Sequence, residues 1–429
     1  MVNPRSAGVI LHPTCLPSRF GIGDLGPSAA AYVRWLADAG VRWWQVLPLH
    51  PPGPGHSPYS AISTFAGNEV LISPDLLAAD DLLGEEDLDS APPFPDEWVA
   101  FDEVIPFKLA MLRRAFSRFQ RGVSPDLEKD LDAFRTLHRG WLRDYAVFRA
   151  ARDEFGGAAW WNWSTSFAHH DPETLDQWRS DHEEEVGFVE FCQMLFFRQW
   201  SALHQLAAKL GVGIFGDIPI FVARDSADVW SHPELFKLDE DLQPKVVAGV
   251  PPDYFSPTGQ LWGNPHYDWN RMAGDGYRWW VSRVRHELEM VDLLRLDHFR
   301  GFAASWEVQA GADTAIEGRW VPGPGRALFE ALRDAMGSLP LVAEDLGEIT
   351  PDVVGLRKEL GLPGMAILHF AFQPDPRSSF IPYAHERDQV VYTGTHDNNT
   401  TIGWYLEDAG DDEADLVRRY ARSSGQEIH

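Results

Sequence analysis

Cysteine is scarce in this sequence of 429 residues, which contains only Cys15 and Cys192. Two thiols cannot form a disulfide framework of the kind that supports small secreted domains, and their spacing is not that of a metal site. The sequence also lacks an apolar run long enough to cross a bilayer, and its first residues lack the apolar stretch of a secretory leader. We therefore expect a cytoplasmic protein in a reducing compartment.

Positively charged residues are also few in relation to negatively charged ones. Lysine and arginine together number 37 against 64 aspartate and glutamate residues, which gives a formal net charge of −27. Such a surface repels phosphate backbones and anionic lipids, so neither a nucleic acid nor a membrane is an expected partner. The sequence has no phosphate-binding glycine motif and no convincing histidine spacing for a metal, so we expect no cofactor and no metal. A neutral substrate fits these features best.

Aromatic residues, in contrast, are abundant. The 18 tryptophans stand in a chain that is otherwise 44% hydrophobic and 24% charged, as is usual for a globular protein. Aromatic faces stack on the C–H faces of sugars, although any single tryptophan can instead belong to the core. Tryptophans close to Asn, Asp and Gln favour the sugar-binding interpretation.

Seven short apolar runs have the pattern of buried parallel strands, and helical patterns follow several of them. The runs are residues 8–12, 43–49, 212–220, 364–370 and three that end at Asp297, Glu344 and Asp397. Helices are expected near residues 27–39, 107–121, 131–155, 186–210, 277–288 and 411–422. Strands that alternate with helices predict an α/β fold, here a TIM-type (β/α)8 barrel.

The pattern shows no eighth strand, so we expect a single barrel over residues 1–429 that lacks its C-terminal eighth βα unit through truncation. Two insertions are expected in it. One covers residues 73–187 and is mostly helical, and the other covers residues 223–270 and forms a lid over the active site.

Three carboxylates lie at the downstream ends of predicted strands, where a parallel barrel builds its chemistry. Arg295 precedes Asp297 by two residues, so both side chains lie on one strand face, and the guanidinium can keep the carboxylate ionised, as a nucleophile requires. Glu344 has apolar neighbours that raise its pKa, which suits a general acid and base, whereas Asp345 points to the opposite face and is available as a structural partner for the helices. The alternatives are a structural ion pair for Asp297 and a helix cap or salt bridge for Glu344.

The segment 394–400 places His396 and Asp397 among amides that can grip adjacent hydroxyl groups of a sugar ring. A turn rich in Asn and Asp is the alternative interpretation. Asp217, on the third predicted strand, is a weaker candidate for the same kind of contact.

A Gly/Pro-rich stretch at residues 249–265 carries exposed aromatic and polar side chains, which predicts a loop that closes on sugar and excludes water. An ordinary buried loop is the alternative. The candidate substrate-binding residues of this stretch are Asp253, Tyr254, Phe255, Gln260, Trp262 and Asn264. Ser57 and Tyr59 follow the second strand and are expected at the same end of the barrel.

Taken together, these segments resemble the amylomaltase or 4-α-glucanotransferase (disproportionating enzyme) family, glycoside hydrolase family 77. The segments that carry the resemblance are residues 11–14, 21–26, 44–49, 57–59, 216–219, 251–265, 317–320 and the three acidic segments. The resemblance extends over essentially the whole chain as far as Thr401, beyond which nothing matches the eighth strand of the family.

The resemblance implies retaining transglycosylation of α-1,4-glucans and maltooligosaccharides, with glucose or another glucan as acceptor and without a dissociable cofactor. It implies Asp297 as nucleophile, Glu344 as acid and base, and Asp397 as stabiliser of the transition state. It further implies that Arg295, Asp217, His298 and His396 surround the cleaved sugar. A retaining enzyme is expected to hold the carboxyl groups of Asp297 and Glu344 about 5–5.5 Å apart. The rival hypotheses are an α-glucan hydrolase with the same triad and an inactive glucan-binding fragment, and the oligomeric state is open.

Overall fold

The computed structural model describes residues 5–252, 256–347, 349–373 and 378–425. The strands of this part of the chain are β1 Gly8–Ile10, β2 Trp43–Gln45, β3 Gly213–Pro219, β4 Val246–Val250, β5 Gln260–Pro265, β6 Leu293–Asp297, β7 Ala304–Gln309, β8 Gly318–Pro322, β9 Leu341–Ala343, β10 Gly364–Ile367 and β11 Gln389–Tyr392. All seven predicted strand regions contain a strand, but most of the strands are shorter than the apolar runs.

Seven of these strands form two parallel sheets. Strands β1, β2, β3, β6 and β9 are neighbours in that order, and β10 pairs with β11. One backbone hydrogen bond, from Ala343 N–H to Pro363 O at 2.9 Å, links β9 to the segment before β10. The strands alternate with helices, which confirms an α/β fold. Sheet pairing alone does not close a ring, so the complete barrel stays a prediction.

The second architectural unit is a four-stranded antiparallel sheet in the order β5–β4–β7–β8. The sequence did not predict this sheet, because β4 and β5 lie in a stretch rich in Gly and Pro that has the composition of a loop. The prediction that residues 249–265 form only a loop is therefore wrong, since Gln260–Pro265 is strand β5.

The α-helices of the described residues mostly surround the parallel strands. They are α1 Pro27–Asp38, α2 Pro74–Ala79, α3 Glu85–Leu88, α4 Phe101–Gln120, α5 Pro125–Leu137, α6 Leu142–Glu154, α7 Thr165–Ala168, α8 Pro172–Asp181, α9 Glu183–Lys209, α10 Ala227–Ser231, α11 Trp269–Gly274, α12 Arg278–Met290, α13 Arg300–Ala303, α14 Gly325–Met336, α15 Pro351–Leu360, α16 Thr401–Gly403 and α17 Asp411–Ala421. None of the helices in the described ranges has both the length and the apolarity that a bilayer crossing demands.

Three local predictions need correction. The helix expected at residues 131–155 is two helices, α5 and α6, because the chain turns at residues 138–141. The spacing of residues 27–39 predicts one helix face with Tyr32, Trp35, Leu36 and Ala39, whereas helix α1 buries Ala29, Val33 and Leu36 and leaves Trp35 57% exposed. The seventh strand ends at Tyr392, so Asp397 follows it after a short turn instead of ending it.

An inner core joins the parallel strands of the two sheets. Phe215 of β3, Val342 of β9 and Met365 of β10 form one buried cluster, against which Trp43 of β2 and Tyr392 of β11 pack. The cluster therefore joins strands of both parallel sheets, which burial of their apolar side chains stabilises. Helix α9, with Phe191 and Leu195 fully buried, packs in the larger core outside these strands.

Candidate functional site

One guanidinium joins two carboxylates at the centre of the site. Asp217 of β3 and Arg295 of β6 are register partners on neighbouring parallel strands. Arg295 Nη1 donates to both carboxylate oxygens of Asp217, at 2.8 and 2.7 Å. Its Nη2 lies 2.7 Å from Asp297 Oδ1. The predicted pairing of Arg295 with Asp297 is confirmed, and Asp217 proves to be the second partner of the same side chain.

Tyr59 connects this pair to the segment beyond β11. Its hydroxyl donates to Asp217 Oδ2 at 2.7 Å, and its ring stacks on that of His396 with centroids 5.1 Å apart. His396 Nε2 in turn lies 3.3 Å from Asp397 Oδ1. Asp397 itself is the outermost member, with 69% of its side chain exposed. The structure thus connects Asp397 to Asp297 through a continuous chain of contacts.

Glu344 lies directly beyond β9 and is fixed by two backbone amides. Its Oε1 accepts from Leu346 N–H at 2.7 Å, and its Oε2 accepts from His298 N–H at 2.8 Å. The backbone nitrogen and oxygen of Glu344 are also bonded, to Leu296 O and Phe299 N–H, each at 3.1 Å. Both the main chain and the carboxylate of Glu344 are therefore held against the segment that carries Asp297. No residue pattern in the sequence indicates these two amide contacts.

Burial sets the protonation of this region. Loss of hydration raises the pKa of Glu344 to about 7, and the charge of Asp297 raises it further, against the opposing effects of Arg295 and the two amides. Burial likewise raises the pKa of Asp217 to about 7, although Arg295 and the Tyr59 hydroxyl favour its charged form. The predicted rise in the pKa of Glu344 is confirmed together with its cause, burial among apolar neighbours.

His298 directly follows Asp297 and contacts Trp262 of the antiparallel sheet. It adopts a positive φ of 51°, an uncommon conformation for a residue with a side chain. Burial lowers its pKa to about 4, so the ring is neutral at physiological pH. Its Nε2 is buried and has no hydrogen-bond partner among the described residues. Trp262 of β5 approaches it edge-to-face, with ring centroids 4.8 Å apart.

The other predicted substrate residues differ in their placement. Gln260 Oε1 accepts from Trp262 Nε1 at 3.1 Å, on the exposed part of β5. Asn264 Nδ2 donates to Val222 O at 2.8 Å, which fixes the strand to the segment after β3. Ser57 is exposed, and its hydroxyl accepts from Tyr59 N–H at 3.3 Å. Asp253, Tyr254 and Phe255 lie outside the described residues.

Sequence reasoning missed a pair beneath the Arg295 network. Tyr392 of β11 donates its hydroxyl to Gln45 Oε1 of β2 at 2.7 Å. Tyr392 is close enough to Arg295 and Asp217 for their charges to act on its pKa, which burial raises. An amide within the otherwise apolar run 43–49 was the one available signal. The hydrogen bond between Tyr392 and Gln45 thus joins β11, the last parallel strand, to β2.

The site thus consists of an arginine-bound carboxylate next to a buried acid of raised pKa, a combination that suits acid-assisted displacement at a neutral substrate. The sequence profile of the family described as 4-alpha-glucanotransferase matches residues 11–429. The chain belongs to the 4-alpha-glucanotransferase family.

Relatives of this family resemble the chain along nearly its whole length. The 4-alpha-glucanotransferase of Thermus thermophilus is 47% identical over 97% of the chain and 83% of its own length. The 4-alpha-glucanotransferase of a Synechocystis strain is 46% identical over 100% of the chain and 86% of its own length. These identities confirm the family that the sequence motifs predicted.

Solved structures of amylomaltases also resemble this chain. Amylomaltase from Streptococcus agalactiae in complex with acarbose matches with a TM-score of 0.95 and 36% identity, over 99% of this chain and 86% of that one. Amylomaltase from Corynebacterium glutamicum matches with a TM-score of 0.80 and 20% identity, over 99% of this chain and 62% of that one. The second likeness concerns the fold alone.

Proposed function

We propose that this chain is a retaining 4-α-glucanotransferase. It moves segments of α-1,4-glucans and maltooligosaccharides from a donor to the 4-hydroxyl of glucose or of another glucan. The observation that carries the proposal is the pairing of two unlike carboxyl groups. Asp297 is bound to Arg295 at 2.7 Å, whereas the adjacent Glu344 is buried and has its pKa raised to about 7.

In the first step, Asp297 attacks the anomeric carbon while Glu344 donates its proton to the leaving glycosidic oxygen. The bond between the anomeric carbon and the glycosidic oxygen breaks, and a covalent β-glucosyl ester forms on Asp297. Arg295 suits this step because its guanidinium lies 2.7 Å from the attacking carboxylate and orients it. The fragment that contains the reducing end then leaves.

In the second step, Glu344 acts as a base. It removes the proton from the 4-hydroxyl of the acceptor, whose oxygen displaces Asp297 with net retention of the α configuration. A pKa near 7 allows the same carboxyl group to give a proton in one step and take one in the next. The two amides that Glu344 accepts from hold it in one place through both steps.

The remaining residues are assigned to the sugar. Asp217, His298 and His396 contact the ring on which the displacement occurs, and Asp397 grips adjacent hydroxyl groups and stabilises the transition state. The buried, unpartnered Nε2 of His298 supports its assignment, since a buried polar atom gains most from a ligand partner. Ser57 and Tyr59 serve the donor side.

Transfer in place of hydrolysis depends on which nucleophile reaches the ester first. Trp262 and Gln260 on β5, with Asp253, Tyr254, Phe255 and Asn264 of the same stretch, form the acceptor side in this proposal. Trp262 is 37% exposed beside His298, so a sugar can stack on it and displace water from the ester.

The proposal extends to architecture and location. We regard residues 1–429 as one TIM-type barrel, because six of the seven parallel strands share one inner cluster, with insertions at 73–187 and 223–270. The cytoplasmic location expected from the sequence stays a prediction, which cell fractionation tests.

Incubation of the chain with maltotriose tests the function. A transferase releases glucose and longer oligosaccharides while the total number of reducing ends stays constant, whereas a hydrolase raises that number. Asp297→Asn must abolish both reactions while it retains binding of maltooligosaccharides. A rise in reducing ends equal to the glucose released would establish the hydrolase instead. Binding with no turnover by the unaltered chain would leave a glucan-binding protein.

A further inference from the structure

Asp345, which follows Glu344, fills a gap in the hydrogen bonding between β9 and β10. On one side, β9 forms a regular parallel ladder with β6. On the other side, the described backbone provides the bond from Ala343 N–H to Pro363 O. The next amide of β10, Met365 N–H, donates instead to the side chain of Asp345, at 2.8 Å from Oδ1. A carboxylate oxygen thus replaces a main-chain carbonyl between the two strands.

A buried arginine holds this carboxylate in place. Arg357 of α15 places Nε 2.9 Å from Asp345 Oδ2, and the two side chains are only 9% and 12% exposed. Arg357 Nη1 also donates to Leu362 O at 3.2 Å, just before β10. Arg357 therefore links the helix, the carboxylate and the approach to the next strand. Its partner Asp345 is the neighbour in sequence of the proposed acid.

The approach of Asp345 to β10 is close. A Cβ atom added at Gly364 would lie 2.6 Å from Asp345 Oδ2 and 2.7 Å from Oδ1. Such distances are well inside van der Waals contact, so a larger residue at position 364 must displace the carboxylate. A substitution at Gly364 is therefore an independent way to displace the Asp345 carboxylate while Asp345 itself stays unchanged.

We propose that Asp345 is a positioning residue that, through its bond to β10 and its ion pair with Arg357, fixes the proton-donating carboxyl of Glu344. The peptide of Glu344 is bonded on the β6 side to Leu296 and Phe299. Asp345 restrains the same peptide on the β10 side through its bond to Met365 N–H. The bonds on the two sides together restrict lateral movement of this peptide. This role rests on the proposed function, because it serves Glu344 as the acid. It predicts that loss of the restraint harms proton donation more than it harms attack by Asp297.

The test compares two donors in Asp345→Ala and Arg357→Met. Maltotriose needs protonation of its leaving oxygen, whereas α-maltosyl fluoride has a leaving group that departs without an acid. We expect kcat/KM for maltotriose to fall by up to about 100-fold, because a small misplacement of a catalytic group costs that much. The rate of glycosyl-enzyme formation from the fluoride should change little. The double variant should lose less than the two single losses combined, since the contact between Asp345 and Arg357 is common to both changes.

Asp24→Asn is the matched control. Asp24 is also buried, also accepts from a backbone amide, Gly26 N–H at 3.0 Å, and also pairs with a buried cation, Lys108 at 3.2 Å, but it precedes α1. We expect this variant to lose thermal stability without any preference between donors. Arg357→Lys and Gly364→Ala are milder changes for the case that the first variants do not fold, and they should show the same donor preference.

The outcomes separate the two proposals. Equal losses with both donors, as in the Asp24 control, would overturn the positioning role and leave the function intact. Failure of the unaltered chain to transfer glucan segments from maltotriose would overturn both. A selective loss with maltotriose supports both.

Discussion

Tyr59 and His396 stack nearly parallel, with ring planes 10° apart and centroids 5.1 Å apart, although they lie more than 330 residues apart in the sequence. The contact joins the loop after β2 to the turn after β11. Because the Tyr59 hydroxyl also donates to Asp217, one side chain connects both ends of the strand series to the Arg295 network. The ring and the hydroxyl of Tyr59 therefore make separate contacts, and their effects on activity can be measured separately.

Tyr59→Phe removes the hydroxyl and keeps the stacking. A hydrogen bond to a charged group is worth about 1.5–3 kcal/mol, so we expect kcat/KM for maltotriose to fall about 10- to 100-fold. Tyr59→Ala should cost more, because the turn that carries Asp397 loses its stacking partner as well. Steady-state kinetics of the two variants measure the difference. Tyr383→Phe, at a side chain that is 73% exposed, is the control and should retain full activity. Equal activity of Tyr59→Phe and the unaltered chain would contradict the assignment.

The raised pKa of Glu344 predicts a pH dependence. In the proposed mechanism Glu344 donates a proton in the first step, so only its protonated form is active in kcat/KM for the donor. With its pKa at about 7, the protonated fraction is high below pH 7 and falls with each pH unit above it. We therefore expect kcat/KM for maltotriose to decline above about pH 7. In Glu344→Gln this decline should disappear, and the rate should be lower by about 10²- to 10⁴-fold.

Asp217 needs a separate control in that experiment, because its pKa is also raised to about 7. Asp217→Asn cannot titrate, whatever its effect on the rate. If Glu344 is responsible, the decline above pH 7 persists in Asp217→Asn. A profile that becomes flat in Asp217→Asn would assign the titration to Asp217.

Much of this site was predictable from sequence where the signal was local. Arg295 and Asp297 are two residues apart on one strand, and strand geometry alone places their side chains together. The opposite orientation of Asp345 follows from the same alternation, and its predicted role as a partner for a helix is confirmed by Arg357 of α15. The apolar neighbours of Glu344 predicted the direction of its pKa shift.

The features that were missed depend on contacts between distant segments. The antiparallel sheet pairs β4 with β7 across more than 50 residues, and its strands β4 and β5 contain Gly and Pro that indicate turns when read locally. The amides that bind the Glu344 carboxylate belong to His298, in the turn after β6, and to Leu346, two residues after Glu344. No pattern of side chains in the sequence predicts these backbone contacts. The bond between Tyr392 and Gln45 joins strands from the two ends of the series. Secondary-structure propensity is a local property and does not predict which distant segments will contact each other.

The position of Trp262 predicts an effect on the choice between transfer and hydrolysis. Trp262→Ala removes the exposed ring beside His298, on which the acceptor sugar stacks in the proposed function. We expect the ratio of transfer to hydrolysis to fall by up to about tenfold, because an aromatic contact is worth about 0.5–1.5 kcal/mol. Glucose and total reducing ends from maltotriose, measured together, give this ratio. Trp262→Phe should retain most of it, and Trp98→Ala, at a side chain that is 64% exposed, should leave it unchanged. An unchanged ratio in Trp262→Ala would mean that other residues dock the acceptor.

The buried pair of His50 and Glu287 predicts a stability that depends on pH. His50 Nε2 lies 2.6 Å from Glu287 Oε1, and its Nδ1 bonds Ala66 O at 2.8 Å, so the pair fixes the segment after β2 to α12. Burial lowers the pKa of His50, but the charge and the hydrogen bond of Glu287 outweigh it and the net pKa is raised above 6.5. A group whose pKa is raised on folding stabilises the protein fully below its unfolded pKa, and this stability is lost as the pH rises through the folded value.

Glu287→Gln should therefore lower the free energy of unfolding by about 3–5 kcal/mol at pH 6, because it removes one partner of a buried ion pair. The charge of His50 is lost as the pH rises through its raised pKa, so the difference between the two proteins should shrink as the pH is raised from 6 towards 9. Urea unfolding at both pH values measures it. Glu359→Gln breaks the exposed pair with Arg326, whose side chains are 61% and 49% exposed, and should change the free energy of unfolding by less than about 1 kcal/mol at either pH. A Glu287→Gln penalty that grows from pH 6 to pH 9 would show that the pKa of His50 is not raised in the folded protein.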